Sequence, residues 1–327
     1  MRSARLPLVA SVALLALLNG AGCSNQPSSG TSDATIEQRT FASPEDAVVA
    51  LIDAARSGDV DQVRPLFGDG FAELEADSVD RTDGDLQRLA AAYDRRHVLY
   101  LDGATDIPTE TATAGAVTLA VGDDLWEFPV PIVRTGEGAD ARWRFDTAAG
   151  VANVRAMRIN ANEASALDFL QACVPAQEQF RLLGTLGAPP SYAQQFRSDV
   201  GTRNGLWWPD DLAPPQSPLG PMVDEGIAAG TIPVDVHSAP AYLGYRYRIL
   251  VAAGPSAPGG AAQWLDANGR LVGGFAFVAW PEAYGETGAR TFLVAQDGTT
   301  WARDLGPETE RAAAAIVTFD PGAGWER

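Results

Sequence analysis

Trp126-Glu-Phe-Pro-Val-Pro-Ile132 alternates large apolar side chains with Glu and Pro, and Arg142-Trp-Arg-Phe-Asp146 answers it across the polar turn Arg134-Thr-Gly-Glu-Gly-Ala-Asp140. A period of two reads as a half-buried strand and its return, with the prolines marking an edge. Val98 to Leu101 and Val117 to Val121 are expected to add two more strands. Upstream the period lengthens. Ser43 is placed to cap a helix that opens with Pro44, Glu45 and Asp46, and Ala47, Val48, Leu51, Ile52 and Ala55 follow at helical spacing. Ser57-Gly-Asp59 breaks it. A second short helix is expected through Val60, Val63, Leu66 and Phe67, and another over Gln87 to Arg95. Helices first and a meander of strands after them give an α+β layout.

Downstream, one long helix is expected from Val151 to about Leu183. Strong strands return with Leu243, Tyr245, Tyr247, Ile249 and Val251 alternating against Arg246 and Arg248. The nearly all-apolar run from Leu271 to Trp280 reads as a central strand. Gln296-Asp-Gly298 joins Thr291 to Ala295 with Thr299 to Arg303 as a hairpin, and a short helix is expected after Gly306 and Pro307. A chain of 327 residues at roughly 150 per domain is consistent with two domains. The expected division is a leader over residues 1–22, a tether over residues 23–39, and α+β domains over residues 40–150 and 151–327.

The leader carries an address. Arg2 and Arg5 precede an apolar run from Leu6 to Leu18, and Gly20-Ala-Gly22 stands directly before Cys23. The run has signal-peptide length. The junction resembles a bacterial lipobox, which implies a lipidated Cys23 as the first residue of the mature chain. Gly20 stands where the lipobox prefers Leu, and ordinary cleavage beside Cys23 is the alternative. Ser24 in place of Asp implies the periplasmic side of the outer membrane if the cell is Gram-negative. The protein is thus expected to be exported and held on a membrane through a lipid at Cys23. Residues 24–39, rich in Ser and Thr, read as a flexible tether.

Composition excludes several chemistries. All 24 basic residues counted as Lys or Arg are Arg. A P-loop, a Schiff-base enzyme, a protein kinase and an S-x-x-K serine hydrolase each need a Lys. A formal net charge of −18 repels phosphate backbones, so no nucleic-acid partner is expected. With Cys23 acylated, Cys173 has no disulfide partner and reads as a small buried hydrophobe within the helix.

No catalytic set, metal site or cofactor site is expected. His97 and His237 are isolated, and Asp235-Val-His237 reads as a polar sheet face. Asp77, Asp80, Asp83 and Asp85 fail the spacing of a calcium loop. Asp266-Ala-Asn-Gly269 reads as a turn. Gly136-Glu-Gly138 lacks the third glycine of a dinucleotide site. Asp123 and Asp124 are neighbours that a strand would point to opposite faces, and a turn suits them better. The residues with most to offer a partner are Trp207 and Trp208, in the irregular stretch Gly205-Leu-Trp-Trp-Pro209.

Three resemblances add to this. The stretch P-E-x-A-x-x-A-L-x-x-A-x-x-x-G-D from Pro44, with the later W-R-F-D, resembles the NTF2-like and cystatin-like modules of exported bacterial proteins, which implies helices packed on a curved sheet. Asn162-Glu-Ala-Ser-Ala-Leu-Asp-Phe-Leu-Gln-Ala-Cys-Val-Pro-Ala-Gln-Glu-Gln-Phe180, with Gly244-Tyr-Arg-Tyr247 and Thr287-Gly-Ala-Arg-Thr-Phe292, resembles pilin-like heads, which implies a long helix on an antiparallel sheet. The membrane-embedded helix that drives pilin assembly has no counterpart here, so filament formation is not implied. F-A-S-P-E, V-G-D-D-L-W-E-F-P-V-P, G-L-W-W-P, Y-R-I-L-V-A-A-G-P-S-A-P-G-G and F-D-P-G-A-G-W together resemble domain of unknown function 2950, which implies a bacterial envelope protein and brings no catalytic residue. The expected function is a non-catalytic binding or assembly module with an envelope protein or small ligand as partner. A hydrolase using carboxylates in an NTF2-like pocket is the alternative.

Overall fold

The structure is a computed structural model, and it describes residues 36–77, 84–101, 115–183, 189–209, 215–220, 223 and 242–327. The chain is α+β, with every sheet antiparallel. It divides into two compact units, one ending at Arg158 and the other beginning at Ile159.

Among the described residues, the first unit opens with the helices α1 (Pro44–Ser57), α2 (Val60–Phe67), α3 (Phe71–Asp77) and α4 (Asp85–Arg95). Ser43 caps α1 by accepting from the Asp46 N–H at 3.0 Å, and Gly58 ends it in the left-handed region with φ 68°. The strands follow as β1 (His97–Leu101), β2 (Val117–Val121), β3 (Trp126–Glu127), β4 (Ile132–Thr135) and β5 (Arg142–Phe145). They are ordered β1-β2-β4-β5, with β3 also on β2. The core sets Leu51, Ile52, Leu66 and Phe67 of the helices against Leu119, Ile132 and Phe145 of the sheet. It is aromatic at its centre, where the Phe67 ring lies 5.1 Å from Phe145 and 6.4 Å from Phe128.

The run from Trp126 to Ile132 is not one strand. It breaks into β3 and β4 because Pro129 and Pro131 have no N–H to give a ladder. The break keeps its apolar side, since Phe128, Val130 and Ile132 are all buried. Phe128 still donates to the Leu119 carbonyl at 2.7 Å, and the Pro131 carbonyl accepts from Asp146 at 2.8 Å.

Helix α5 (Thr147–Leu183) starts four residues earlier than the apolar pattern suggests. Asp146 starts it, its Oδ1 accepting from the Ala149 N–H at 3.2 Å and its carbonyl from Gly150 at 2.9 Å. The boundary between the two units falls inside α5. No helix among the described residues is long and apolar enough to cross a membrane.

The second unit is a four-stranded sheet, ordered β11-β10-β9-β6, of β6 (Tyr245–Leu250), β9 (Ala276–Pro281), β10 (Arg290–Ala295) and β11 (Thr300–Asp304). A two-stranded ribbon pairs β7 (Ala252–Ala253) with β8 (Ala262–Gln263). One sheet face, through Tyr245, Phe277, Phe292 and Val294, packs on the α5 stripe Ala166, Phe169, Leu170, Cys173 and Phe180. The other, through Leu250, Val278 and Leu293, is covered by α6 (Thr309–Ala314) and Phe319. Strand β9 is buried along its whole length, as its apolar run requires. It is shorter than that run. Gly273 and Gly274 pass against Trp264, where a Cβ on Gly273 would come 3.0 Å from the Trp264 Cα, and this close approach takes Leu271 to Phe275 out of the ladder.

Candidate functional site

The positions with a sequence-based expectation do not converge. Cys23, Asp80, Asp83, Asp235 and His237 lie outside the described residues, as do residues 1–22 of the leader. Asp85 is buried at the start of α4 and pairs with Arg88. Asp123 and Asp124 are exposed in the turn between β2 and β3. His97 stacks on Tyr93 with ring centroids 3.8 Å apart. Asp266 accepts from the backbone N–H groups of Asn268 and Arg270, both at 2.9 Å, which makes the Asn-Gly turn. Cys173 is a buried free cysteine in the second core, and burial pushes its thiol well up. No group of three His, Cys, Asp or Glu among the described residues is placed to hold a metal ion.

Trp208 is a core residue, 3% exposed, and its indole N–H donates to the Pro215 carbonyl at 3.2 Å. Trp207 packs against the same core but keeps part of its surface. Its backbone pairs with Phe196 and Ser198 at 2.8 Å each. Of the two tryptophans, Trp207 alone keeps more than a trace of surface to offer a partner.

A concave site lies in the first unit. A pocket of about 390 Å³ is lined by three short stretches: Ile36 and Gln38; Phe67 to Gly70 with Glu73; and Arg144 with Asp146 to Ala148 and Val151. Its volume falls in the range of small-molecule sites, roughly 300–1,000 Å³. Phe67 is the buried apolar floor, tied into the aromatic core.

Gln38 holds the three stretches together. Its Nε2 donates to the carbonyls of Leu66 (2.9 Å) and Phe145 (2.7 Å), and its Oε1 accepts from Arg144 Nη1 at 3.3 Å. Thr147 adds a buried bond from its hydroxyl to the Phe67 carbonyl at 2.8 Å. Each links residues far apart in the chain, and a bond withdrawn from water in this way resists opening. Residues 36–39, the last of the expected tether, are therefore held against the fold. The Ile36 N–H donates to Asp69 Oδ1 at 2.7 Å and the Arg39 N–H to the Pro65 carbonyl at 2.9 Å.

Two glycines make the wall possible. Gly68 has φ 66° and ψ −150°, a combination closed to other residues, and a Cβ on it would sit 3.0 Å from the Gln38 Cβ. A Cβ on Gly70 would meet the Thr147 Cγ2 at 2.8 Å.

The lining carries both signs of charge. Arg144 is its cation, and its Nη1 also donates to the Phe145 carbonyl at 3.2 Å. Asp69, Glu73 and Asp146 are its anions. Asp69 and Asp146 each spend one oxygen on a backbone N–H, and Glu73 is exposed on α3. None of the three carboxylates comes within ion-pairing distance of Arg144. The arrangement can hold a polar ligand over an apolar floor, with donors at one point and acceptors at others.

The sequence offered no clue to this site, since Asp146 read only as the end of the return strand. That Gln38, Gly68 and Arg144 meet follows only from the tertiary fold. Beyond the geometry, the family model described as Protein of unknown function (DUF2950) matches residues 38–327. No curated protein and no solved structure matches the chain.

Proposed function

The chain belongs to the DUF2950 family of proteins of unknown function, and from that premise we propose that it is an exported bacterial envelope lipoprotein, anchored through lipid on Cys23, that works as a non-catalytic binding module. Its ligand occupies the pocket between Gln38, Gly68 and Arg144. The observation that carries this reading is the pocket itself: a cavity over a buried aromatic floor, braced by Gln38 and Thr147 from segments far apart in sequence. Pre-organised polar groups around a concave apolar floor are what a binding site needs. The apolar leader, preceded by Arg2 and Arg5 and ending directly before Cys23, supports the export and the anchor.

In this reading the first unit is an NTF2-like module and the second a pilin-head-like one. Helices over an antiparallel sheet support the former, and the α5 stripe against the β6–β9–β10 face supports the latter. An envelope protein partner would find surface at Trp207. The alternative is a hydrolase, favoured by one observation: Asp69, Glu73 and Asp146 all line the same cavity.

Two experiments test the proposal. Cys23→Ser should move the protein from the membrane to the soluble fraction, and retention in high salt would reject the anchor. A photo-crosslinking residue at Ala148, on the exposed lip of the pocket, should trap a recurrent adduct in cells. Adducts from a second photo-crosslinking residue placed at Trp207, with none from Ala148, would overturn the pocket reading in favour of a protein-docking surface. Turnover of an envelope polymer that Glu73→Gln abolishes would establish the hydrolase.

A further inference from the structure

We infer that the pocket takes a small zwitterion, an amino acid or short peptide with a free ammonium and a free carboxylate. The inference rests on the reading of the pocket as a binding site. Its basis is the unusual state of the charges. Among the described residues, one guanidinium and three carboxylates line the cavity, and none of the carboxylates pairs with the guanidinium. Opposite charges that share a cleft attract, and free side chains would close on one another. Here local bonds hold Arg144, Asp69 and Asp146 in place, and Glu73 stands exposed on α3. Arg144 is turned by Gln38 Oε1 and the Phe145 carbonyl, both through Nη1, so Nε and Nη2 stay available. Asp69 is fixed by the Ile36 N–H and Asp146 by the Ala149 N–H. A ligand that satisfies both poles must carry both charges.

The charge count narrows the class further. Three carboxylates against one guanidinium favour at least one positive charge on the ligand. A bare metal ion is a poor fit, since no three acidic, His or Cys groups among the described residues converge. An ammonium near Asp69 and Glu73, with a carboxylate forked onto Arg144, uses each group in its natural role. Ile36, Phe67 and Val151 leave an apolar stretch for a small aliphatic side chain between the two ends.

Calorimetric titration of the full chain with the dipeptide alanyl-leucine, its N-acetyl form and its carboxyl amide tests this. The free dipeptide should bind, and each blocked form should bind at least tenfold more weakly. Arg144→Gln should erase the penalty on the amide alone. The double variant Asp69→Asn, Glu73→Gln should erase the penalty on the acetyl form alone. Ala148→Trp, which plugs the mouth from an exposed position, should abolish binding with an unchanged melting temperature. If the amide binds as well as the free dipeptide and Ala148→Trp abolishes both, the zwitterion inference fails while the pocket reading stands. If binding survives Ala148→Trp, both fail. If none of the three peptides binds, the inference is overturned and the crosslinking at Ala148 decides the pocket separately.

Discussion

Glu163 anchors the long helix to the second sheet through four bonds. Its Oε1 accepts from the backbone N–H groups of Ala289 and Arg290, both at 3.0 Å, and its Oε2 from Arg290 Nε at 2.7 Å and Nη2 at 2.6 Å. The carboxylate is 4% exposed while the guanidinium is half in water, so the acid bears most of the desolvation. Glu163→Gln should cost about 3 kcal/mol, because it leaves buried donors facing an amide that satisfies fewer of them. Urea unfolding of the variant checks this, and a midpoint within error of the wild type would reject the role. Asp266 has a different readout. Its carboxyl is held below its ordinary value, chiefly by the Arg270 side chain and then by the Arg270 and Asn268 N–H groups. A lowered folded pKa stabilises above the unfolded value of about 3.9, and the contribution is lost as pH falls through the folded value. Between pH 7 and pH 3 the melting temperature of Asp266→Asn should therefore fall less than that of the wild type. The Asp266 turn was legible because its partners lie within four residues. The role of Glu163 was not, because Arg290 lies 127 residues away.

Element by element, legibility followed the range of the forces. Helix α1 was legible from its cap to its last apolar residue, since capping and spacing act within a turn or two. Strand ends were less so. Period two carried the reading through Pro129 and Pro131, but the ladder needs donors those residues lack. It also carried Leu243 into β6, where the structure has a two-residue hairpin turn instead. Tyr242 and Tyr245 exchange backbone bonds at 2.8 and 3.0 Å, and Leu243 and Gly244 take φ 54° and 71°. Both central residues of such a turn need positive φ, which suits Asn-Gly and strains Leu. Leu243→Asn should raise stability by about 1 kcal/mol. Loss of stability in thermal or urea unfolding would show that the Leu side chain contributes more than its backbone costs.

At the scale of the whole chain, the cores keep to their own units. The first cluster ends at Val154, and in the second unit one cluster begins at Ala166 and the other at Leu250. A fragment beginning at Val151 should accordingly melt cooperatively, and a featureless melt would show that the second unit needs the first. The α+β class was legible from helices followed by a meander. The pocket was not, because its three stretches are joined only by long-range bonds through Gln38 and Thr147. Trp208, conspicuous in sequence, went to the core because so large an apolar surface is most stable when covered. On the proposed reading, the protein binds its ligand through the first-unit pocket. Hydrogen–deuterium exchange of the full chain, with and without a low-molecular-weight extract of the cell envelope, tests it most directly. Added protection is expected in residues 36–38, 67–73 and 144–151, and Ala148→Trp should remove it. Protection confined to the stretch around Trp207, or none anywhere, would contradict it.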